Sequence, residues 1–263
     1  MSRHDSGEHQ AKKRFGQNFL HDPHVIDRIL RVVNAQPGET LIEIGPGLGA
    51  LTLPLLRRLG RLQVVEIDRD VIPRLLELCG HDAGLRIEQA DALKVDYRRF
   101  APSEGKLRIV GNLPYNISTP LLFHLLSFSD IVRDMHFMLQ KEVVDRMCAL
   151  PGEEAYGRLT VALAARAEVA HLFNVGAGAF RPAPKVESAI VRILPRPPAF
   201  EVRSWPRFDQ VVTAAFSQRR KTLSNGLKPL MSSAQIAAVG IDPGIRAERL
   251  SAADFASLAN AIS

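Results

Sequence analysis

Thr40-Leu41-Ile42-Glu43-Ile44-Gly45-Pro46-Gly47-Leu48-Gly49-Ala50 passes from a short apolar segment into three alternating glycines. An apolar run of this length that stops at glycine reads as a buried strand. Gly45, Gly47 and Gly49 let the backbone turn sharply and come close to a ligand. Residues 50–59 then leave the loop with helical spacing. A strand, a glycine loop and a helix are the opening unit of a nucleotide-like cofactor site. Gly45, Gly47 and Ala50 also satisfy the looser dinucleotide fingerprint, with Glu66 at the spacing of a ribose-binding carboxylate. A nicotinamide or flavin is therefore one reading, and a tight turn with no ligand is another. Pro46 counts modestly against a phosphate ligand, because proline removes one amide donor from the loop. S-adenosylmethionine carries no phosphate and makes no such demand.

Working outward, strands and helices alternate. Residues 62–67 read as the next strand, ending near Glu66 and Asp68, with 71–79 as its helix. Residues 85–88 lead to Asp91, and 107–110 lead to Asn112. Helical spacing follows at 119–128, a buried strand at 135–139 and helices at 141–150 and 158–167. Segments 168–175 and 187–194 read as two strands joined by the Gly- and Pro-rich stretch 176–185, a hairpin closing one sheet edge. The expected fold is α/β: a Rossmann-like, mostly parallel seven-stranded sheet covered by helices. In such a sheet ligands gather at the carboxyl ends of strands, where Gly45, Glu66, Asp91 and Asn112 all fall. Pro195-Arg196-Pro197-Pro198 reads as a stiff linker. The expected domains are 1–195, carrying the sheet, and 196–263, a small α-helical domain with helices at 208–216, 222–227, 233–238 and 252–261.

Asn112-Leu113-Pro114-Tyr115 follows the fourth strand. An amide oxygen and a turn carbonyl suit the exocyclic amine of a base, and the Tyr115 ring offers a stacking surface. Such stacking is worth roughly 1–3 kcal/mol. A cofactor loop followed by this tetrapeptide points to methyl transfer from S-adenosylmethionine to a base nitrogen. On that reading Glu66 takes the cofactor's ribose hydroxyls and Asp91 its adenine amine. Taken singly, Asn112 is equally an Asx turn, Tyr115 a buried aromatic and either carboxylate a cap. Phe180, in a proline-rich loop, reads either as a second wall of the base slot or as a loop anchor on the core.

The length of 263 residues and 46% hydrophobic content suit one large domain with or without a small one, and no stretch approaches a membrane span. The polar start, residues 1–13, lacks the apolar core of a secretory signal. Two isolated cysteines, Cys79 and Cys148, argue against a disulfide framework or a cysteine-rich metal site and fit a reducing cytoplasm. Both are expected as small buried side chains. The net charge of +6 suggests a polyanion partner. Lys12-Lys13-Arg14 and Arg219-Arg220-Lys221 form separate basic clusters, suited to RNA phosphates or simply to solvent. No self-complementary stripe is apparent, so a monomer is expected.

These motifs together resemble the small-subunit ribosomal RNA adenine N6-dimethyltransferases, the KsgA/RsmA family. The matching segments are 12–20, 43–49, 112–120, 140–143, 156–159, 180–188 and 216–223, and the likeness runs from about residue 11 to the last helices. The resemblance implies S-adenosyl-L-methionine as cofactor, S-adenosyl-L-homocysteine as product and no metal. It implies cofactor contacts at Gln17, Asn18, Leu20, Gly45, Gly47, Glu66, Asp91 and Asn112. It further implies catalysis by Asn112, Leu113, Pro114, Tyr115 and Phe180, with RNA contacts from the two basic clusters. The implied partner is the small ribosomal subunit, whose 16S rRNA carries two adjacent adenosines in its 3′-terminal hairpin loop. Erythromycin-resistance methyltransferases, acting on large-subunit RNA, share nearly the same motifs. A mitochondrial transcription-factor relative would be a binding module of this fold, and a nicotinamide oxidoreductase would leave Asn112-Leu113-Pro114-Tyr115 unexplained.

Overall fold

The computed structural model describes residues 18–114, 116–218 and 220–262. The strands are β1 (Phe19–Leu20), β2 (Leu41–Ile44), β3 (Leu62–Glu66), β4 (Leu85–Gln89), β5 (Leu107–Asn112), β6 (Val132–Gln140), β7 (Ala167–Val175), β8 (Phe180–Arg181) and β9 (Ser188–Pro195). Seven of them form one mostly parallel sheet in the order β4-β3-β2-β5-β6-β9-β7. The chain runs outward from β2 through β3 to β4, then returns to β5 on the other side of β2. The loops after β2 and β5 therefore diverge, and a crevice opens at their carboxyl ends. Gly111 makes this junction tight: a Cβ there would lie 2.4 Å from the Ile44 carbonyl oxygen. The expected edge pair is present, with β7 outermost beside β9.

β1 and β8 form a separate antiparallel pair, Leu20 facing Phe180. Between β1 and β2 lies a helix absent from the sequence reading, α1 (Pro23–Val33). Its signals are local. The Asp22 side chain accepts the amides of His24 and Val25, and Pro23 pre-sets the first turn. Ile29 and Val33 face inward and pack with Leu41, Leu62 and Val64 of the sheet. The same core takes Leu55, Leu56 and Leu59 from α2 (Thr52–Leu59) and Leu75 from α3 (Ile72–Leu78).

The remaining helices are α4 (Ser118–Leu126), α5 (Lys141–Cys148), α6 (Arg158–Ala164), α7 (Trp205–Ser217), α8 (Leu223–Leu227), α9 (Ser233–Ala238) and α10 (Ala252–Asn260). The chain divides into two compact units. Among the described residues the first runs through Lys141 and takes in Leu172–Arg192; the second comprises Glu142–His171 and the chain from Ile193 onward. The sequence reading set its boundary at 195/196, and the two divisions differ over residues 142–171 and 193–195. The reason is core membership. Tyr156 and Val161 share one apolar cluster with Phe208, Val211, Leu223 and Phe255, and the Tyr156 hydroxyl donates to the Leu250 carbonyl at 2.7 Å.

β6 is longer than its apolar run because two charged residues lie within it. Arg108 of β5, 5% exposed, donates from Nε to both oxygens of Asp134 at 3.0 and 3.1 Å, and from its terminal nitrogens to Glu39 and to the Val33 carbonyl. Burial opposes the Asp134 charge, yet His136 and Arg108 hold its carboxyl below the ordinary value. Cys79 is buried and Cys148 half-buried. Among the described residues no helix is long and apolar enough to cross a membrane.

Candidate active site

The crevice between the ends of β2 and β5 is a cleft whose lining includes Asn18, Leu20, Gly45, Gly47, Glu66, Asp91, Asn112, Leu113 and Pro114. Gly45 and Gly47 hold φ of 65° and 54°, a region that penalises any side chain. A Cβ on Gly47 would also meet the Phe19 ring at 3.1 Å, so β1 lies directly against the loop. Gly45 receives the end of the neighbouring strand, its amide donating to Val65 at 2.9 Å.

Asn112 ends β5. Its Nδ2 donates to the main-chain carbonyl of Asn18 at 3.0 Å. A carbonyl accepts only, so this contact fixes which way the amide points and leaves Oδ1 as the acceptor. The Leu113 amide donates to Met138 at 3.2 Å and the Pro114 carbonyl accepts from Ile117 at 3.2 Å, which sets the turn.

Glu66, 7% exposed at the end of β3, accepts the Asp68 amide at 2.8 Å. Burial pushes its carboxyl up, against the lowering pull of the Asp68, Gly47 and Ile67 amides. The Gly47 bond ties the carboxylate to the glycine loop. Asp91 caps its own turn, Oδ1 accepting from Leu93 at 3.0 Å. That loop is anchored by Tyr97, whose buried hydroxyl donates to the Ala92 carbonyl at 3.2 Å. Asp91 is thus both the turn residue of the bland reading and a wall of the cleft.

Sequence reasoning gave no separate role to Glu43. It lines the cleft floor at 2% exposure, with Thr52 Oγ1 donating to Oε2 at 2.7 Å. Burial, reinforced by the Glu66 charge, pushes its carboxyl up to about 7. The described lining therefore holds three carboxyl groups and no lysine, arginine or histidine. Such a cavity favours a cationic ligand and repels phosphate.

A family model described as ribosomal RNA adenine dimethylase matches residues 8–263. The chain belongs to that family. One relative, the ribosomal RNA small subunit methyltransferase A of Aromatoleum aromaticum, is 56% identical over 256 residues, covering 97% of this chain and 95% of its own. A solved dimethyladenosine transferase from Plasmodium falciparum superposes with a TM-score of 0.75 at 26% identity, covering 91% of this chain and 95% of that one. The 23S rRNA methyltransferase ErmE shares the fold, with a TM-score of 0.71 at 24% identity over 93% of this chain and 99% of its own. The fold is accordingly a Rossmann-like methyltransferase fold with a C-terminal helical part.

In this dimethylase-family chain the expected residues are not all brought together. Phe180 is 2% exposed, packed in the core beside Ile190 and paired across β1 and β8 with Leu20, which lines the cleft. Phe180 itself does not line the cleft. Two strand residues carry the proline-rich segment onto the core. Arg220 and Lys221 are exposed in the turn between α7 and α8. Gln17, Tyr115, Lys12, Lys13, Arg14 and Arg219 lie outside the described residues.

Proposed function

We propose that the protein uses S-adenosyl-L-methionine to dimethylate N6 of two adjacent adenosines in the 3′-terminal hairpin loop of 16S rRNA. The substrate would be the small ribosomal subunit, in the cytoplasm where it matures. The observation that carries this reading is the sign of charge in the cleft. Glu66 and Asp91, with Glu43 part-ionised near neutral pH, line a space whose described lining holds no cationic residue, at the end of a glycine loop. That suits a sulfonium cofactor bearing an ammonium group and opposes the diphosphate of a nicotinamide or flavin. The names of close relatives support the RNA and the subunit.

The residues present fit the cofactor. Gly45 and Gly47 would lie against it, Glu66 and Asp91 would receive its hydroxyl and amine donors, and Asn18 and Leu20 would close one side. Once bound, it supplies a methyl group already activated toward nucleophiles. The harder partner is the adenine amine, whose lone pair is spread into the ring. Asn112 Oδ1, turned outward by the bond to Asn18, accepts one N–H, and the Leu113 carbonyl accepts another. Those bonds favour a pyramidal nitrogen whose lone pair points toward the cofactor. Pro114 sets the turn, and Tyr115 would hold the base swung from its stack. Rate enhancement then comes from alignment and positioned acceptors, with no strong base required. Lys12, Lys13, Arg14, Arg219, Arg220 and Lys221 would meet RNA phosphates.

Asn112→Ala tests the reading. Turnover on unmethylated small subunits should fall by about 10²-fold or more, the scale of a lost transition-state hydrogen bond. Calorimetry with S-adenosylhomocysteine should change far less. Near-wild-type turnover would remove Asn112 from the chemistry, and tight NAD binding would overturn the cofactor assignment.

A further inference from the structure

Beside the anionic cleft lies a second groove of opposite character. Phe19, Leu20, Leu48 and Ala50 line both, so the two spaces share walls. The groove continues over Leu53, Pro54 and Leu78 and is edged by Arg74, Arg181 and His21, with no carboxylate in its lining. Arg74 and Arg181 are exposed, and neither guanidinium is paired with a carboxylate among the described residues. Leu48 and Leu78 are 39% and 46% exposed, unusual for leucines beside a ligand-binding loop in a chain that buries most of its leucines. An apolar floor edged by unpaired guanidinium groups matches a nucleotide, which has a flat apolar base and an anionic phosphate.

Resting on the function proposed above, we infer that this groove seats the RNA nucleotide adjoining the one presented to Asn112. Its base and sugar lie on Leu48, Leu53, Pro54 and Leu78, and its phosphates meet Arg74 and Arg181. The charge pattern gives the reason. A strand entering beside Glu43, Glu66 and Asp91 brings phosphates toward three carboxyl groups. The groove that shares this wall is edged by Arg74 and Arg181, so the backbone is drawn there and away from the cofactor. The groove would thus supply both affinity and direction, leaving only the target base to cross into the cleft.

The test uses Arg74→Ala, Arg181→Ala and Leu78→Ser in the full chain, with small-subunit RNA as substrate over a range of salt. Each arginine variant should raise KM for RNA about tenfold, leave kcat within about twofold, and lower the log–log salt slope by about 0.7 to 1, the signature of one lost phosphate contact. Leu78→Ser should raise KM severalfold with the slope unchanged. Affinity for S-adenosylhomocysteine should stay at the wild-type value in all three. Unchanged KM and slope in both arginine variants, with the wild type still methylating RNA, would sink the groove assignment and leave the proposed function standing. A raised KM without any change of slope would also overturn it, since an apolar partner segment rather than a phosphate strand would then be the occupant. Absence of RNA methylation by the wild type would remove the proposed function, and this assignment with it.

Discussion

Titrating Glu43 should change stability by an amount the structure lets us work out. The carboxyl is buried on β2 with the Thr52 hydroxyl as its hydrogen-bond donor. Burial lifts its pKa from the ordinary 4.5 to about 7, only partly opposed by Thr52 and reinforced by Glu66. At about 1.4 kcal/mol per tenfold change in proton affinity, that displacement is worth about 3 kcal/mol. The sign follows from which state holds the proton. The folded state binds it more tightly, so the contribution is complete below the unfolded pKa near 4.5 and is lost as pH rises through about 7. Between pH ~5.5 and ~8.5 about 2 kcal/mol of it should disappear. Glu43→Gln keeps the shape and the acceptor for Thr52 but cannot ionise. Urea unfolding of both proteins at the two pH values isolates the effect, since other titrating groups are common to both. Relative to the variant, the wild type should be about 2 kcal/mol more stable at the lower pH than at the higher. A gap that stays constant within about 0.5 kcal/mol would refute the argument that Glu43 is desolvated in the fold.

Three further outcomes follow from the same geometry. Gly49→Ala places a Cβ 2.5 Å from Leu78 Cδ2 at a φ of +83°, so thermal melting should show a loss of about 1–3 kcal/mol. Arg108→Met leaves buried Asp134 without its main partner and should cost about 3 kcal/mol or more in urea unfolding. Its cofactor affinity should be unaltered, because Arg108 does not line the cleft. Asp91→Asn removes the acceptor proposed for the cofactor's adenine amine and should weaken binding of S-adenosylmethionine and S-adenosylhomocysteine alike by calorimetry, about tenfold or roughly 1.4 kcal/mol each.

The parallel core of the fold was legible because β2, β3 and β5 are short apolar runs that end at chemically telling residues. Gly45, Glu66, Asp91 and Asn112 do converge on one cleft. What escaped has physical causes. β1 and β8 are two residues each, too short for any periodicity, and exist only by pairing with one another. The burial of Phe180 was hidden for the same reason, since it comes from that pairing and not from its own loop. α1 was missed although Asp22-Pro23 announces it, because its partly charged sequence hides the Ile29 and Val33 stripe. Arg133 and Asp134 interrupted the apolar pattern of β6: Arg133 is exposed, and buried Asp134 is tolerated because Arg108 lies alongside. The grouping of α5 and α6 with the later helices depends on contacts near a hundred residues apart, such as Tyr156 with Leu250, whereas the later boundary, at Arg192/Ile193, falls close to the Pro195-Arg196-Pro197-Pro198 linker. Glu43 looked like one polar residue in a strand; its role in the cleft's charge appears only once Glu66 is beside it.

The claim at the centre is that a carboxylate-lined cleft and the Asn112 amide together deliver methyl groups to adenine in small-subunit RNA. The most direct measurement incubates the protein with isotope-labelled S-adenosylmethionine and unmethylated small subunits, then maps the label nucleotide by nucleotide. The account predicts N6,N6-dimethyladenosine at two neighbouring positions of the 3′-terminal hairpin loop. Label confined to large-subunit RNA in a mixed preparation, or carried on any atom other than adenine N6, would contradict it.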